Sequence, residues 1–309
     1  MKKTKEIQSD ILIIGAGLTG LTLAYLLKDS ALNIHIVEAR DRLGGRIHTV
    51  QSKNNTPLDM GATWLGTKHQ SLIQLLEELQ IPVTAQFYGR AAIYEPISTS
   101  PWKLVKWSGE MEPTYRMVNG SSTLISKLAD SIKTENLHLS QAIKNIDVTD
   151  YGIVAKSEDT IYKTKKIVST LPPYLFSNTI TLNNPLPKVL KSTCNMTHTW
   201  MGESIKVSLV YKEAFWKKEN SSGTIVSNVG PIPEMYDHSK VDGKGYALKG
   251  FMDGSYYTLT KEERLDKIIT QLYKYYGDQA KEYLSYEETV WRNEPFTFTN
   301  YKSHILPHQ

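Results

Sequence analysis

A mixed α/β fold that opens on a βαβ unit is what the sequence predicts, and three observations predict it. An apolar run, Ile11-Leu12-Ile13-Ile14, leads into Gly15-Ala16-Gly17-Leu18-Thr19-Gly20. A second apolar run, Ile34-His35-Ile36-Val37, ends on an acid, Glu38. The stretch between them has the length of a short helix. A lone GxGxxG is only a glycine-rich turn, but strand, glycines, helix, strand and acid in that order form a Rossmann-type dinucleotide-binding unit.

Each part of the unit has a physical task. Gly15 makes the tight turn, Gly17 lets the backbone approach a pyrophosphate, and Gly20 lets the helix lie against the strand. The pyrophosphate is expected on the helix N-terminus, where unpaired N–H groups and the helix dipole favour negative charge. Glu38 can accept both ribose hydroxyls and disfavours a 2′-phosphate, which sets NADP aside. Arg42-Leu43-Gly44-Gly45-Arg46 then adds forked cations and bare backbone N–H groups for a second approach to phosphate.

Further along, Leu58 to Trp64 reads as a strand end and turn, and 71–80 as a helix with Leu72, Leu75, Leu76 and Leu79 on one face. Residues 86–117 are rich in Pro, Trp and Tyr and read as irregular or short-stranded. Gly120-Ser121-Ser122 caps a helix expected to run through Ile132. Alternating residues over 137–170 predict a small β-meander, with Lys163, Lys165 and Lys166 as a solvated strand edge. Leu171-Pro172-Pro173 ends it, because neither proline can donate to a ladder. A second region follows, with strands over 204–211 and 246–251. A capping box, Thr260 to Glu263, opens a helix whose core face is Leu265, Ile268, Ile269, Leu272 and Tyr276.

Composition narrows the function. With 309 residues, 40% hydrophobic and 22% charged, the chain can bury a full core. A net charge of +4 is too mild and too scattered for a nucleic-acid partner. The basic start, Met1-Lys2-Lys3-Thr4-Lys5, precedes an apolar stretch that Gly15, Gly17 and Gly20 interrupt, so neither an export signal nor a membrane span is expected. The single cysteine, Cys194, excludes an internal disulfide, suits a reducing cytoplasm and lacks a nucleophile motif. The eight histidines show no metal-ligand spacing, so no metal is expected. Nothing in the sequence fixes an oligomeric state.

From Asp10 to about Tyr301 the chain resembles the flavin-dependent amine oxidases, which include the monoamine oxidases. The opening fingerprint through Arg46, Leu58 to Trp64, Leu171-Pro172-Pro173, the run over 204–216 and the run over 291–301 carry the resemblance; Val210-Tyr211-Lys212-Glu213-Ala214-Phe215-Trp216 is especially close. It favours FAD over NAD and implies two discontinuous domains. FAD binding would use 1–80 and 117–172, and a mixed-sheet substrate domain 81–116 and 173–309. The short 81–116 segment implies a reduced active-site lid.

The resemblance also implies roles for particular residues. Gly15, Gly17, Leu18, Thr19, Gly20, Glu38, Ala39, Arg40, Gly44, Gly45 and Arg46 would hold the adenosine and diphosphate parts of FAD. Gly61, Ala62, Thr63 and Trp64 would line the isoalloxazine, and Ile143 would meet adenine through its backbone. Lys206 matches the lysine that holds a water against flavin N5 and assists reoxidation by O2. Tyr301 matches one of two aromatic residues flanking the substrate amine. Asn300 stands where monoamine oxidases carry the cysteine bonded to FAD, so FAD is expected to be noncovalent.

The implied reaction oxidises an amine C–N bond by hydride transfer to flavin N5, with O2 as acceptor and hydrogen peroxide as product. Two alternatives stay open: a flavin desaturase acting on C–C bonds, which the 210–216 match disfavours, and an inactive FAD-binding remnant. The family continues past Tyr301 with a strand, a glycine-rich turn carrying an acid, and a helix. On that pattern residues 1–309 are expected to be a truncated or degraded form that makes little peroxide until such a segment is restored.

Overall fold

The computed structural model describes residues 5–106, 112–197, 199 and 201–298. They form two compact units. The first comprises Met1–Ile47, Leu124–Gly202 and Glu294–Gln309, and the second His48–Thr123 and Glu203–Asn293.

The first unit is built on a seven-stranded sheet. Its middle strand, Lys5–Ile14, pairs in parallel with Ile34–Val37 on one side and Thr160–Ser169 on the other. Helix Leu18–Leu26 makes the crossover between the first two strands. Leu12, Ile13 and Ile14 are all buried, as expected where a parallel sheet is covered on both faces. Asn145–Thr149, Gly152–Lys156 and Thr160–Ser169 form the expected meander, with antiparallel pairing. One expectation needs correction in part: Lys163 does not lie on a sheet edge, since it is paired with Gln8 on one side and Val154 on the other. The second pairing ends at Thr164, so Lys165 and Lys166 lie on an open strand edge as expected, and all three are exposed, with Lys163 on Glu6 at 2.8 Å and Lys165 on Asp10 at 2.7 Å.

Two further boundaries have local causes. Helix Ser122–Ala129 stops before Ile132 because the Ser131 hydroxyl donates to the Leu128 carbonyl at 2.6 Å, while the Ile132 N–H turns back to Ala129. The preceding strand ends at Ser169, and Pro173 starts helix Pro173–Thr179, where its missing N–H costs nothing.

The second unit has its own seven-stranded sheet, in which Ile205–Tyr211 pairs antiparallel with Tyr246–Met252 and with Tyr283–Val290. Every residue of Ile205–Tyr211 is buried. Because side chains alternate along a strand, the two faces of this sheet divide sharply. Ile205, Val207, Leu209 and Tyr211 join Leu248, Met252, Ile268 and Leu272 in one apolar core against helix Lys261–Tyr276. Lys206, Ser208 and Val210 point the other way, beside Ala247, Lys249 and Phe251 of the neighbouring strand.

The capping box is present: the Glu263 N–H donates to Thr260 Oγ1 at 3.2 Å, and the Thr260 N–H donates to Glu263 at 2.8 Å. The buried face of the helix also includes Gln271, which bonds both backbone groups of Ile232. Hydrophobic periodicity passes over such a residue because its amide is buried only with its partners in place. Among the described residues no helix is long and apolar enough to cross a membrane.

Candidate active site

In the first unit, helix Leu18–Leu26 begins after Gly17 with no side-chain cap and no acid in its first turn. Its first intrahelical bond runs from the Leu21 N–H to the Gly17 carbonyl. The N–H groups of Leu18, Thr19 and Gly20 therefore have no carbonyl one turn back and form the positive end of the helix. Gly20 is required by close approach, since a Cβ there would lie 2.0 Å from the Gly15 carbonyl oxygen. Gly15 holds φ at +105°, which a side chain would strain.

The second glycine segment docks onto the first. The Gly44 N–H donates to the Ala16 carbonyl at 2.9 Å, and Gly17 and Gly44 pair as an isolated bridge. A Cβ on Gly17 would meet nothing nearer than 3.9 Å, so a bare backbone gap lies beside the helix N-terminus. Arg42 shapes this turn by donating to the Leu43 and Gly45 carbonyls at 3.2 and 3.1 Å, while Arg46 is exposed.

Glu38 is buried and accepts the Ala16 N–H at 2.8 Å on one oxygen and the Arg40 N–H at 3.0 Å on the other. Each oxygen keeps a further lone pair, as a ribose contact needs. The Arg40 guanidinium is held by Glu294 at 3.0 Å and Thr297 at 2.6 Å. Its backbone is also engaged, the N–H on Glu38 and the carbonyl on the Ser140 N–H at 2.8 Å, and Ala39 beside it is half-buried. Ile143 has its side chain in the core of the first unit, so only its backbone is available to adenine. A bare helix N-terminus, a glycine-lined gap and a fixed carboxylate fit the adenosine diphosphate part of FAD.

In the second unit, Gly61 to Trp64 forms the turn between strands Pro57–Asp59 and Trp64–Gly66. Ala62 is exposed, and its carbonyl accepts from Ser121 at 2.7 Å. The Gly61 carbonyl accepts from Lys206 Nζ and, at 3.2 Å, from the Thr63 hydroxyl. Thr63 Oγ1 in turn accepts from Lys249 Nζ. Both lysines lie against aromatic faces. Lys206 Nζ is 4.8 Å from the Phe251 ring centre and 5.6 Å from that of Trp64, and Lys249 Nζ is 4.2 Å from Trp64.

Charge in this compartment is poorly neutralised. Burial pulls Lys206 down to about 8, an effect that the nearby Asp59 carboxylate opposes. Burial also holds Lys249 well below the ordinary lysine range, and Lys206 beside it pushes the same way. Asp59 Oδ1 accepts from Thr49 at 2.6 Å and from the Ser121 N–H at 2.8 Å, whereas Oδ2 has no partner. His238 Nε2 accepts the Asp59 N–H at 3.3 Å, so that nitrogen is unprotonated. Burial, then the cations around it, keep His238 neutral. Arg116 is also buried, donates to the Ser239 carbonyl and leaves Nε unpaired.

Thus Gly61, Thr63, Trp64 and Lys206 come together, whereas Asn300 and Tyr301 lie outside the described residues. Sequence reasoning passed over Lys249, Phe251, Asp59, Arg116 and His238. The available signal was Lys249 inside the apolar run Ala247-Leu248 and Phe251-Met252, in phase with Lys206 once the strands are paired.

A dinucleotide-binding unit and a second unit that buries cations on a glycine-started turn are the parts of a cofactor-dependent oxidoreductase. The profile of the family described as flavin containing amine oxidoreductase matches residues 18–98 and 86–307. The chain belongs to this family and is an FAD-dependent oxidoreductase. It is 24% identical to amine oxidase [flavin-containing] B of Rattus norvegicus over 402 aligned positions, covering 96% of this chain and 77% of that protein. The human counterpart is also 24% identical, with the same coverage. Among solved structures, the fold is similar to that of putrescine oxidase bound to putrescine, with TM-score 0.83 and 19% identity, covering 94% of this chain and 87% of that one. Cyclohexylamine oxidase from Brevibacterium oxydans IH-35A gives TM-score 0.82 at 19% identity, with 94% and 86% covered.

Proposed function

We propose that this protein oxidises the C–N bond of a small amine and passes the electrons to O2. The observation that carries the reading is Lys206, buried on a sheet face, surrounded by aromatic rings and bonded to the Gly61 carbonyl. A strand lysine without a task usually points to solvent, because burying its charge is costly. When bound, the flavin accepts a hydride from the amine carbon and returns the electrons to O2 as hydrogen peroxide.

The chain's own residues bind, orient and exclude water. Glu38 would take the ribose hydroxyls, and the N–H groups of Leu18, Thr19 and Gly20 with Gly44, Gly45 and Arg46 the diphosphate. Gly61, Ala62, Thr63 and Trp64 would line the isoalloxazine, with Ile143 meeting adenine. Lys206 would hold a water by donating to it, the Gly61 carbonyl fixing the direction of its amine. Tyr301 would flank the amine. In this reading 1–80 and 117–172 serve FAD, and 81–116 and 173–309 serve the substrate. The family profile matches in two pieces that meet at residues 86–98, inside the segment expected to be short. A cytoplasmic setting is favoured by the single thiol, Cys194, which is buried and unpaired.

The test separates the two half-reactions by stopped flow on FAD-loaded protein. Lys206→Met is expected to slow reoxidation by O2 more than reduction by amine. A purely reductive defect rejects the role given to Lys206.

A further inference from the structure

We propose that Lys249 and Lys206 act as one proton-holding pair, joined through Thr63 and Gly61, which carries at most one positive charge and in which a charged Lys206 keeps Lys249 neutral. The link is continuous: Lys249 Nζ donates to Thr63 Oγ1, the Thr63 hydroxyl donates to the Gly61 carbonyl, and Lys206 Nζ donates to that same carbonyl. Both side chains leave the same face of adjacent strands, with Lys249 opposite Ser208 and Lys206 opposite Phe251. Both amines also lie against the Trp64 ring, at 4.2 and 5.6 Å from its centre.

Two ammonium ions in such a place are not sustainable. Lys249 is 1% exposed and Lys206 5% exposed, so water screens neither. An ammonium brings three donors and the Lys249 amine has one acceptor, Thr63, so its neutral form fits the site better. The groups that face the pair do not supply the missing charge. Among the described residues Asp59 is the buried carboxylate acting on both lysines, and Arg116 adds another cation. His238 is neutral and accepts from the Asp59 N–H. Asp237 is taken up by Trp216, Ser239 and Lys217. From the flanking strands come Tyr236, opposite Lys249 and donating to exposed Glu234, and half-exposed Glu287, opposite Ser208.

Lys249 acts through Lys206 and Thr63 and is a positioning residue. The coupling does not rest on the function proposed above. It is read directly by NMR of protein labelled at the lysine ε-carbon and titrated with pH in the absence of amine, with Lys249→Met identifying the Lys249 signal. In Lys206→Met, Lys249 is expected to titrate about one pH unit or more higher, because the like charge is gone. An unchanged Lys249 titration in folded Lys206→Met overturns the pair.

Lys206→Gln keeps a donor to the Gly61 carbonyl without the charge and provides the second variant. If the two lysines do not share one charge, Gln leaves the Lys249 titration as in the wild type, which also overturns the proposal. If the pair is real, Gln moves the Lys249 titration upward in pH as Met does.

Discussion

Glu38 is the single side chain on which the proposed choice of nucleotide rests. Its oxygens already accept the Ala16 and Arg40 N–H groups, so the carboxylate stands fixed at the end of its strand before any ligand arrives. Removing it exposes two buried donors and deletes the ribose acceptor. Glu38→Ala is expected to weaken FAD binding by roughly tenfold or more, since hydrogen bonds to charged groups contribute about 1.5–3 kcal/mol each. Arg46→Ala is expected to cost about tenfold by the same reasoning, and calorimetry that finds its affinity unchanged would place Arg46 outside the phosphate site. At this scale the sequence was informative where chemistry is local. The glycines and Glu38 sit within one short stretch, and Lys206 was legible through a motif. Lys249 was not, because its meaning depends on which strand it pairs with and on a turn far away in the chain, and neither is written in its neighbours.

Elements were legible where their signals are short-ranged. The Thr260 to Glu263 box opens its helix as expected, and Thr260→Ala is expected to cost about 1 kcal/mol, visible as a lower denaturation midpoint with an unchanged denaturant slope. Lys163 was misplaced because a strand's partners are not written in its own residues: Lys5–Ile14 covers one side, and Gly152–Lys156 covers the other only as far as Thr164. That same sheet holds a pH-sensitive feature. His35 and His138 stack at 5.2 Å with ring nitrogens 2.9 Å apart, and burial pulls both down, His138 to about 4. Between about 6.5 and about 4 the unfolded chain binds protons that the folded pair refuses, so stability falls as pH drops through that window and is complete above it. Thermal melts across this range should show the loss, and His138→Phe should flatten it. An equal slope in the variant would assign the acid sensitivity to other groups.

For the molecule as a whole, the division of labour follows from what each unit can build. In the proposed reading, the parallel strands and glycine-started helix of the first unit offer backbone N–H groups to phosphate, and the mixed sheet of the second unit, with one polar face, offers buried amines to a reacting centre. The fold class was readable because hydrophobic periodicity and glycine spacing both point to it. The site was readable only in part, because its two lysines, Asp59, Arg116 and His238 converge from five separate stretches. FAD should leave the polypeptide on acid precipitation, since asparagine at 300 cannot form the thioether. Flavin left on the protein would reject noncovalent binding.

Anaerobic mixing of the FAD-loaded protein with primary amines, putrescine and cyclohexylamine among them, tests amine oxidation most directly. It should be run on residues 1–309 and on the longest product of the same reading frame. The expected result is loss of oxidised-flavin absorbance with at least one amine, recovered on admitting O2 with one hydrogen peroxide per amine consumed. Flavin that dithionite reduces in both forms, yet that no amine reduces in either, would contradict it.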